Sequence, residues 1–191
     1  EKKAGRYFYT HNTGLQNQSV LFVRDSLDGE GRLLIDPNRW SADGATALAD
    51  WAPSEDGKYI VYSIQDGGSD WRTIKVLDVA TAKDTGDEVK WVKFSSLEWA
   101  KDGSGFFYTR FPEPTPGQEF QSTNLNAKVY FHRLGTPQWA DPLVYATPDN
   151  PTYGHYATLS DDGRWLVITT AEGTDDRYEV HAIDLRSRGA K

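Results

Sequence analysis

Trp51-Ala-Pro-Ser-Glu-Asp-Gly-Lys-Tyr-Ile-Val-Tyr62 joins a small turn ending in Gly57 to a burst of aromatic and β-branched residues. The phrase returns as Trp99-Ala-Lys-Asp-Gly-Ser-Gly-Phe-Phe-Tyr-Thr109 and as Thr158-Leu-Ser-Asp-Asp-Gly-Arg-Trp-Leu-Val-Ile-Thr169. A truncated copy stands at Gly5-Arg-Tyr-Phe-Tyr-Thr10. Recurrence at roughly 50 residues marks one supersecondary unit used several times, and such units bury their apolar faces only by stacking on neighbours. The chain therefore reads as part of an array.

Working outward from these copies, each unit holds three or four short strand candidates separated by turn chemistry. Tyr7–Thr10, Ser19–Arg24 and Arg32–Asp36 fall in the first unit, and Ala49–Ala52, Tyr59–Ile64 and Thr73–Val79 in the second. In the last of these, Ile74, Val76 and Leu77 are expected to point inward and Lys75 outward. Asp-Gly pairs at 28, 43, 56, 66, 102 and 162 punctuate the strands. Gly accepts positive φ there, and Asp bonds its own backbone. These pairs read as turns rather than calcium loops, because Asp25-Ser-Leu-Asp-Gly-Glu lacks the alternating oxygen ligands and the closing Glu of an EF-hand. The expected fold is all-β, with about four four-stranded blades of a β-propeller. Between Phe111 and Lys128 a Pro- and Gly-containing polar stretch, residues 112–127, is too long for a hairpin and predicts an extended loop.

Composition narrows the function classes. A net charge of -7 gives no concentrated basic surface, so no nucleic-acid partner is expected. No apolar run of about 18 residues is present, so no membrane partner is expected either. The chain has 0 Cys, which excludes disulfides and thiolate metal sites and suits a soluble protein of the cytoplasm or the periplasm. It also begins at Glu1 with 0 Met, which reads as an excised or processed segment. The sequon at Asn17-Gln-Ser is too common by chance to carry weight.

Further segments carry a specific resemblance. Gly5-Arg-Tyr-Phe-Tyr, Asn12-Thr-Gly-Leu-Gln-Asn-Gln, Asp25-Ser-Leu, Asp36-Pro-Asn, Ser54-Glu-Asp-Gly and Gly68-Ser-Asp-Trp come first in the chain. Val92-Lys-Phe-Ser, Ser122-Thr-Asn-Leu, His132-Arg-Leu-Gly-Thr and Leu159-Ser-Asp-Asp-Gly-Arg follow in collinear order. Together they resemble the propeller of the prolyl oligopeptidase family. The resemblance implies a serine peptidase that cleaves short peptides after proline, with a seven-bladed propeller capping an α/β-hydrolase domain. By that measure residues 1–191 are an incomplete propeller, and the hydrolase domain is absent from the chain. The implied partners are that hydrolase domain, the remaining blades and short proline-containing peptides, with no cofactor.

The resemblance also implies substrate-binding residues. Phe94, in Val92-Lys-Phe-Ser, is the expected apolar contact for the peptide upstream of its proline, although an aromatic in a strand is otherwise core. Asp70 and Trp71 are expected at a blade end near the substrate cavity. For Trp71 the alternative is a packing anchor, and for Asp70 a carboxylate that only caps its own turn. Ala171 stands where animal members of the family resemble an Arg, and Gly154 where they carry a Met. Both changes reshape the upstream pocket towards less positive charge and less apolar wall, with His155 or Tyr156 as compensating residues.

Catalysis makes its own demands on the residues. A hydrolase of this kind needs a Gly-x-Ser-x-Gly elbow, and neither Ser69 nor Ser104 has that context. His11, His132, His155 and His181 lie in different repeats, which disfavours both a triad and a zinc site. Gly29-Glu-Gly31 lacks the third Gly and following helix of a phosphate loop. No catalytic or metal residue is therefore expected. Two classes remain: a substrate-gating and substrate-lining propeller segment whose catalysis lies elsewhere in a parent chain, and a free-standing binding module without catalysis.

Overall fold

The structure is a computed structural model and describes residues 1–121 and 123–186. Ser122, which opens one of the family-like segments, lies outside the described residues, as do residues 187–191. The chain divides into two compact units, Glu1–Glu88 and Val89 onward.

In the first unit, β1 (Lys2–Lys3), β2 (Arg6–His11), β3 (Val20–Arg24) and β4 (Arg32–Ile35) form a four-stranded sheet in sequence order. Next come β5 (Ala47–Pro53), β6 (Tyr59–Gln65), β7 (Arg72–Asp78) and β8 (Lys83–Val92), again in sequence order. On β7 Ile74 and Val76 are fully buried on one face, and Leu77 is nearly buried on the other, the face it shares with Lys75. Lys75 turns out to an ion pair with Glu88 at 3.5 Å. Phe8, Leu21, Val23, Leu34 and Ile35 of the first sheet form one core with Ile60, Tyr62, Leu77 and Val79. Each such buried aliphatic or aromatic side chain contributes about 1.5–3 kcal/mol. Trp40, at the end of a 3₁₀ turn over Pro37–Arg39, stacks on Tyr62 at 6.1 Å.

In the second unit, β9 (Glu98–Trp99) pairs with β10 (Gly105–Arg110), which pairs with β11 (Lys128–Arg133) and through it with β12 (Leu143–Ala146). Val92, the last residue of β8, pairs with Arg110. Three further strands, β13 (Tyr153–Leu159), β14 (Trp165–Glu172) and β15 (Tyr178–Asp184), make an antiparallel sheet. Phe107 and Val129 pack against Ala157, Leu166 and Ile168, so the two sheets share one core.

In two of its copies the recurring phrase is the same hydrogen-bonded device, while the Trp99 copy has Ala100 in place of the serine. In the second copy Ser54 Oγ donates to Asp56 Oδ1 at 2.7 Å and accepts from Tyr59 N–H at 3.0 Å. Ser160 repeats this with Asp162 at 2.6 Å and Trp165 N–H at 2.9 Å. Gly57 and Gly163 take φ of 67° and 69°, which the turn requires. The truncated first copy is a different turn, with Ala4 and Gly5 both at positive φ, as a two-residue hairpin of the primed type demands. Among the described residues no helix is long and apolar enough to cross a membrane.

Candidate functional site

Antiparallel alternation brings four connections to one end of the second unit: β8 to β9, β10 to β11, β12 to β13 and β14 to β15. Bonds between the connections tie that end together. Lys93 Nζ donates to Asn124 Oδ1 at 3.1 Å, Asn126 N–H to Pro151 O at 2.7 Å, and Thr152 Oγ1 to Glu172 Oε1 at 2.9 Å.

Phe94 sits in the first of these connections. Its side chain is half exposed and its φ is 50°, while Trp91, three residues earlier in β8, has φ of 63°. For a bulky L-residue each such conformation costs roughly 1–3 kcal/mol and persists only where the surroundings over-determine it. The surroundings here are a buried hydroxyl ladder. Ser95 Oγ accepts from Thr109 N–H at 2.8 Å, Thr109 Oγ1 donates to His155 O at 2.9 Å, and Ser96 Oγ donates to Ala157 O at 2.6 Å. Ser95 and Thr109 are almost wholly buried, so the ladder bolts the Phe94 loop to β10 and β13 and leaves the ring outside.

His155 lies beneath that surface, only 2% exposed. Its Nδ1 is 3.0 Å from Thr170 Oγ1 and its Nε2 3.3 Å from Thr147 Oγ1, and Tyr145 meets the ring edge-on at 5.1 Å. Burial pushes its pKa below the ordinary histidine value, which favours the neutral ring. Both ring nitrogens are engaged inside the unit. Tyr156, next on β13 and facing the other way, is the exposed neighbour at 51%.

Asp70 and Trp71 belong to the first unit, in the connection from β6 to β7. Asp70 is exposed and Trp71 half-buried, its backbone N–H bonded to Ser69 Oγ at 3.1 Å. Phe94 and His155 belong to the second unit.

Two positions read separately from the sequence prove to be partners, since Gly154 and Ala171 are directly opposed across β13 and β14. A Cβ on Gly154 would meet only Ala171 O, at 3.9 Å, so the opening beside it is real space. A cleft of about 220 Å³ adjoins it, lined by Tyr153, Ala171, Glu172, Asp175, Arg177, Tyr178 and Glu179. Arg177 is a residue that motif reading missed. Its guanidinium is clamped by Asp175, Nε to Oδ1 at 3.1 Å and Nη2 to Oδ2 at 2.7 Å. That pairing holds the Asp175 carboxyl below the usual range and raises Arg177. The signal available in sequence was the Asp-x-Arg spacing within a turn, a pattern too common to single out. The cleft thus sets Glu172, Asp175 and Glu179 against one guanidinium.

One further arrangement has the parts of a catalytic dyad. His132 Nδ1 lies 2.9 Å from Asp141 Oδ1, and Tyr108 donates its hydroxyl to Asp141 Oδ2 at 2.7 Å. The His132 and Asp141 side chains are 0% and 1% exposed, so this network braces the β11–β12 connection, out of reach of a substrate. Burial pushes the Tyr108 hydroxyl up, and the Asp141 carboxylate adds to the shift. Among the described residues no three His, Cys, Asp or Glu side chains are grouped to hold a metal ion.

Residues 1–191 match, over their whole length, the family described as prolyl oligopeptidase, N-terminal beta-propeller domain. The chain belongs to that family. It is 37% identical to a prolyl endopeptidase of Elizabethkingia meningoseptica over 97% of its own length and 26% of the relative's. It is 38% identical to prolyl oligopeptidase A of Galerina marginata, over 85% of the chain and 26% of that protein. A solved structure from work on two prolyl endopeptidases superposes with a TM-score of 0.86 at 48% identity, covering 100% of this chain and 26% of that one. Prolyl oligopeptidase B of Galerina marginata, bound to a 35mer hydrolysis and macrocyclization substrate, superposes at 0.84 with 31% identity, over 95% of this chain and 28% of that one. The chain therefore spans about a quarter of the length of the relatives it matches.

Proposed function

We propose that this chain is the substrate-gating and substrate-lining propeller segment of a proline-specific serine oligopeptidase. Catalysis resides outside residues 1–191, in a hydrolase portion of the parent protein, and the propeller is completed by further blades. The observation that carries the reading is Phe94: an aromatic ring held outside on a strained backbone, above a buried hydroxyl ladder, in a propeller of the prolyl oligopeptidase family. Such a ring offers an apolar wall to the residues upstream of a proline. Asp70 and Trp71 in the first unit, and His155 with its exposed neighbour Tyr156 in the second, are the further substrate-binding residues of this proposal.

The acidic balance of the cleft beside Gly154 and Ala171 gives this reading a specific test. Comparing kcat/KM of the full-length peptidase for peptides with an acidic or a neutral residue upstream of proline should show the neutral one preferred. Ala171→Arg should move the ratio towards the acidic peptide by several-fold. An unaltered preference for the acidic peptide in the natural protein would contradict it.

A second reading, a free-standing module that binds peptides or proteins, draws on the exposure of Tyr156 and Tyr178 on the last sheet. It requires a native polypeptide of about this length rather than one several times longer, which a mass measurement decides.

A further inference from the structure

We infer that Lys93 is the positioning residue for Phe94, and that it makes presentation of that ring depend on the docking of the long β10–β11 connection. The inference rests on the proposed role of Phe94 in contacting substrate.

Lys93 stands between two left-handed residues, Trp91 near the end of β8 and Phe94 in the loop. The backbone turn that sends Phe94 outward sends Lys93 inward, where it is only 7% exposed. A buried ammonium must find oxygen acceptors, because desolvation without them is costly. One acceptor comes from far along the chain: Asn124 Oδ1, at 3.1 Å and 31 residues away, in the β10–β11 connection. That connection is pinned near both ends, at its start to the end of β8 and near its end to the β12–β13 connection. At its start Phe111 N–H donates to Trp91 O at 3.0 Å, and near its end Asn126 N–H donates to Pro151 O at 2.7 Å. Much of what lies between is exposed, Phe120 at 80% among it.

Three contacts thus hold the connection, two of them to residues 91–94 and one to Pro151. Two are backbone bonds that survive most substitutions. The third is a side-chain bond from a buried cation that is adjacent to Phe94. Displacing Asn124 removes an acceptor from Lys93, and a buried ammonium short of an acceptor draws its own loop towards water. Phe94 is the next residue in that loop, so its ring direction follows.

The test uses the full-length peptidase and the variants Lys93→Met, Asn124→Ala, Asn124→Asp, Phe94→Ala and Lys93→Met with Phe94→Ala. For a peptide with a bulky apolar residue upstream of proline, Lys93→Met and Asn124→Ala should each raise KM by about five- to tenfold with kcat little changed. In the Phe94→Ala background Lys93→Met should add nothing, since it acts through the ring. Asn124→Asp, which keeps an acceptor, should retain the natural KM. Limited proteolysis should cut within residues 112–121 several-fold faster in Lys93→Met and Asn124→Ala. Multiplicative effects of Lys93→Met and Phe94→Ala on KM, or unchanged proteolysis in both clamp variants, would overturn the inference. Asn124 is exposed, so its Ala variant carries the test even where Lys93→Met fails to fold. If the natural protein cleaves no prolyl peptide, the functional reading fails, and the proteolysis comparison still decides the clamp.

Discussion

Ser54 and Ser160 make the same pair of bonds in two copies of one turn, but in different surroundings. Ser54 is completely buried, whereas Ser160 is partly open to water. Ser54→Ala removes the buried hydroxyl to which Tyr59 N–H donates and should cost about 1–3 kcal/mol, while Ser160→Ala, where water replaces the hydroxyl, should cost under about 1 kcal/mol. Urea denaturation of the two variants measures the difference, and equal losses would mean that burial does not govern the device. At this scale the sequence was readable where chemistry is local. The Asp-Gly turns were recognisable because positive φ and Asx bonding depend on the residues themselves. Burial of His155 was not, because it depends on Thr147 and Thr170, which only the fold brings to its ring.

At the scale of elements, His155 joins β13 to β14 and to the connection after β12, and its neutral form is what fits there. The folded pKa lies below the unfolded value of about 6.5, so the contribution to stability is complete above that pH. It is lost as pH falls from there towards the folded value, because the unfolded chain takes up a proton that the folded one refuses. The urea midpoint should therefore fall between about pH 7.5 and 5.5, and His155→Gln should flatten that fall while lowering stability at neutral pH. An unchanged pH dependence in His155→Gln would show that other groups govern it. Strand β8 shows why element reading is incomplete. Among residues 83–92 only Asp87, Val89 and Val92 are buried, so this outer strand carries little hydrophobic pattern to announce it. The β10–β11 connection was legible as an insertion from its Pro and Gly content, but its anchoring through Lys93 and Asn126 was not, since those bonds join distant residues.

For the molecule as a whole, repeat period and turn phrase were enough for stacked all-β sheets, and the collinear segments were enough for the family. They could not show that Gly154 and Ala171 face each other, a matter of register between strands. Nor could they supply Arg177, whose place in the cleft depends on the turn that bends it back. The central claim is that a propeller surface, remote in sequence from any nucleophile elbow, selects the peptide. The direct measurement is the ratio of kcat/KM for two proline peptides, one with a bulky apolar residue upstream and one with Gly there, in the full-length peptidase and its Phe94→Ala variant. Loss of the ring contact should reduce that ratio about tenfold, about 1.4 kcal/mol of transition-state binding. An identical ratio in the two proteins would contradict the account.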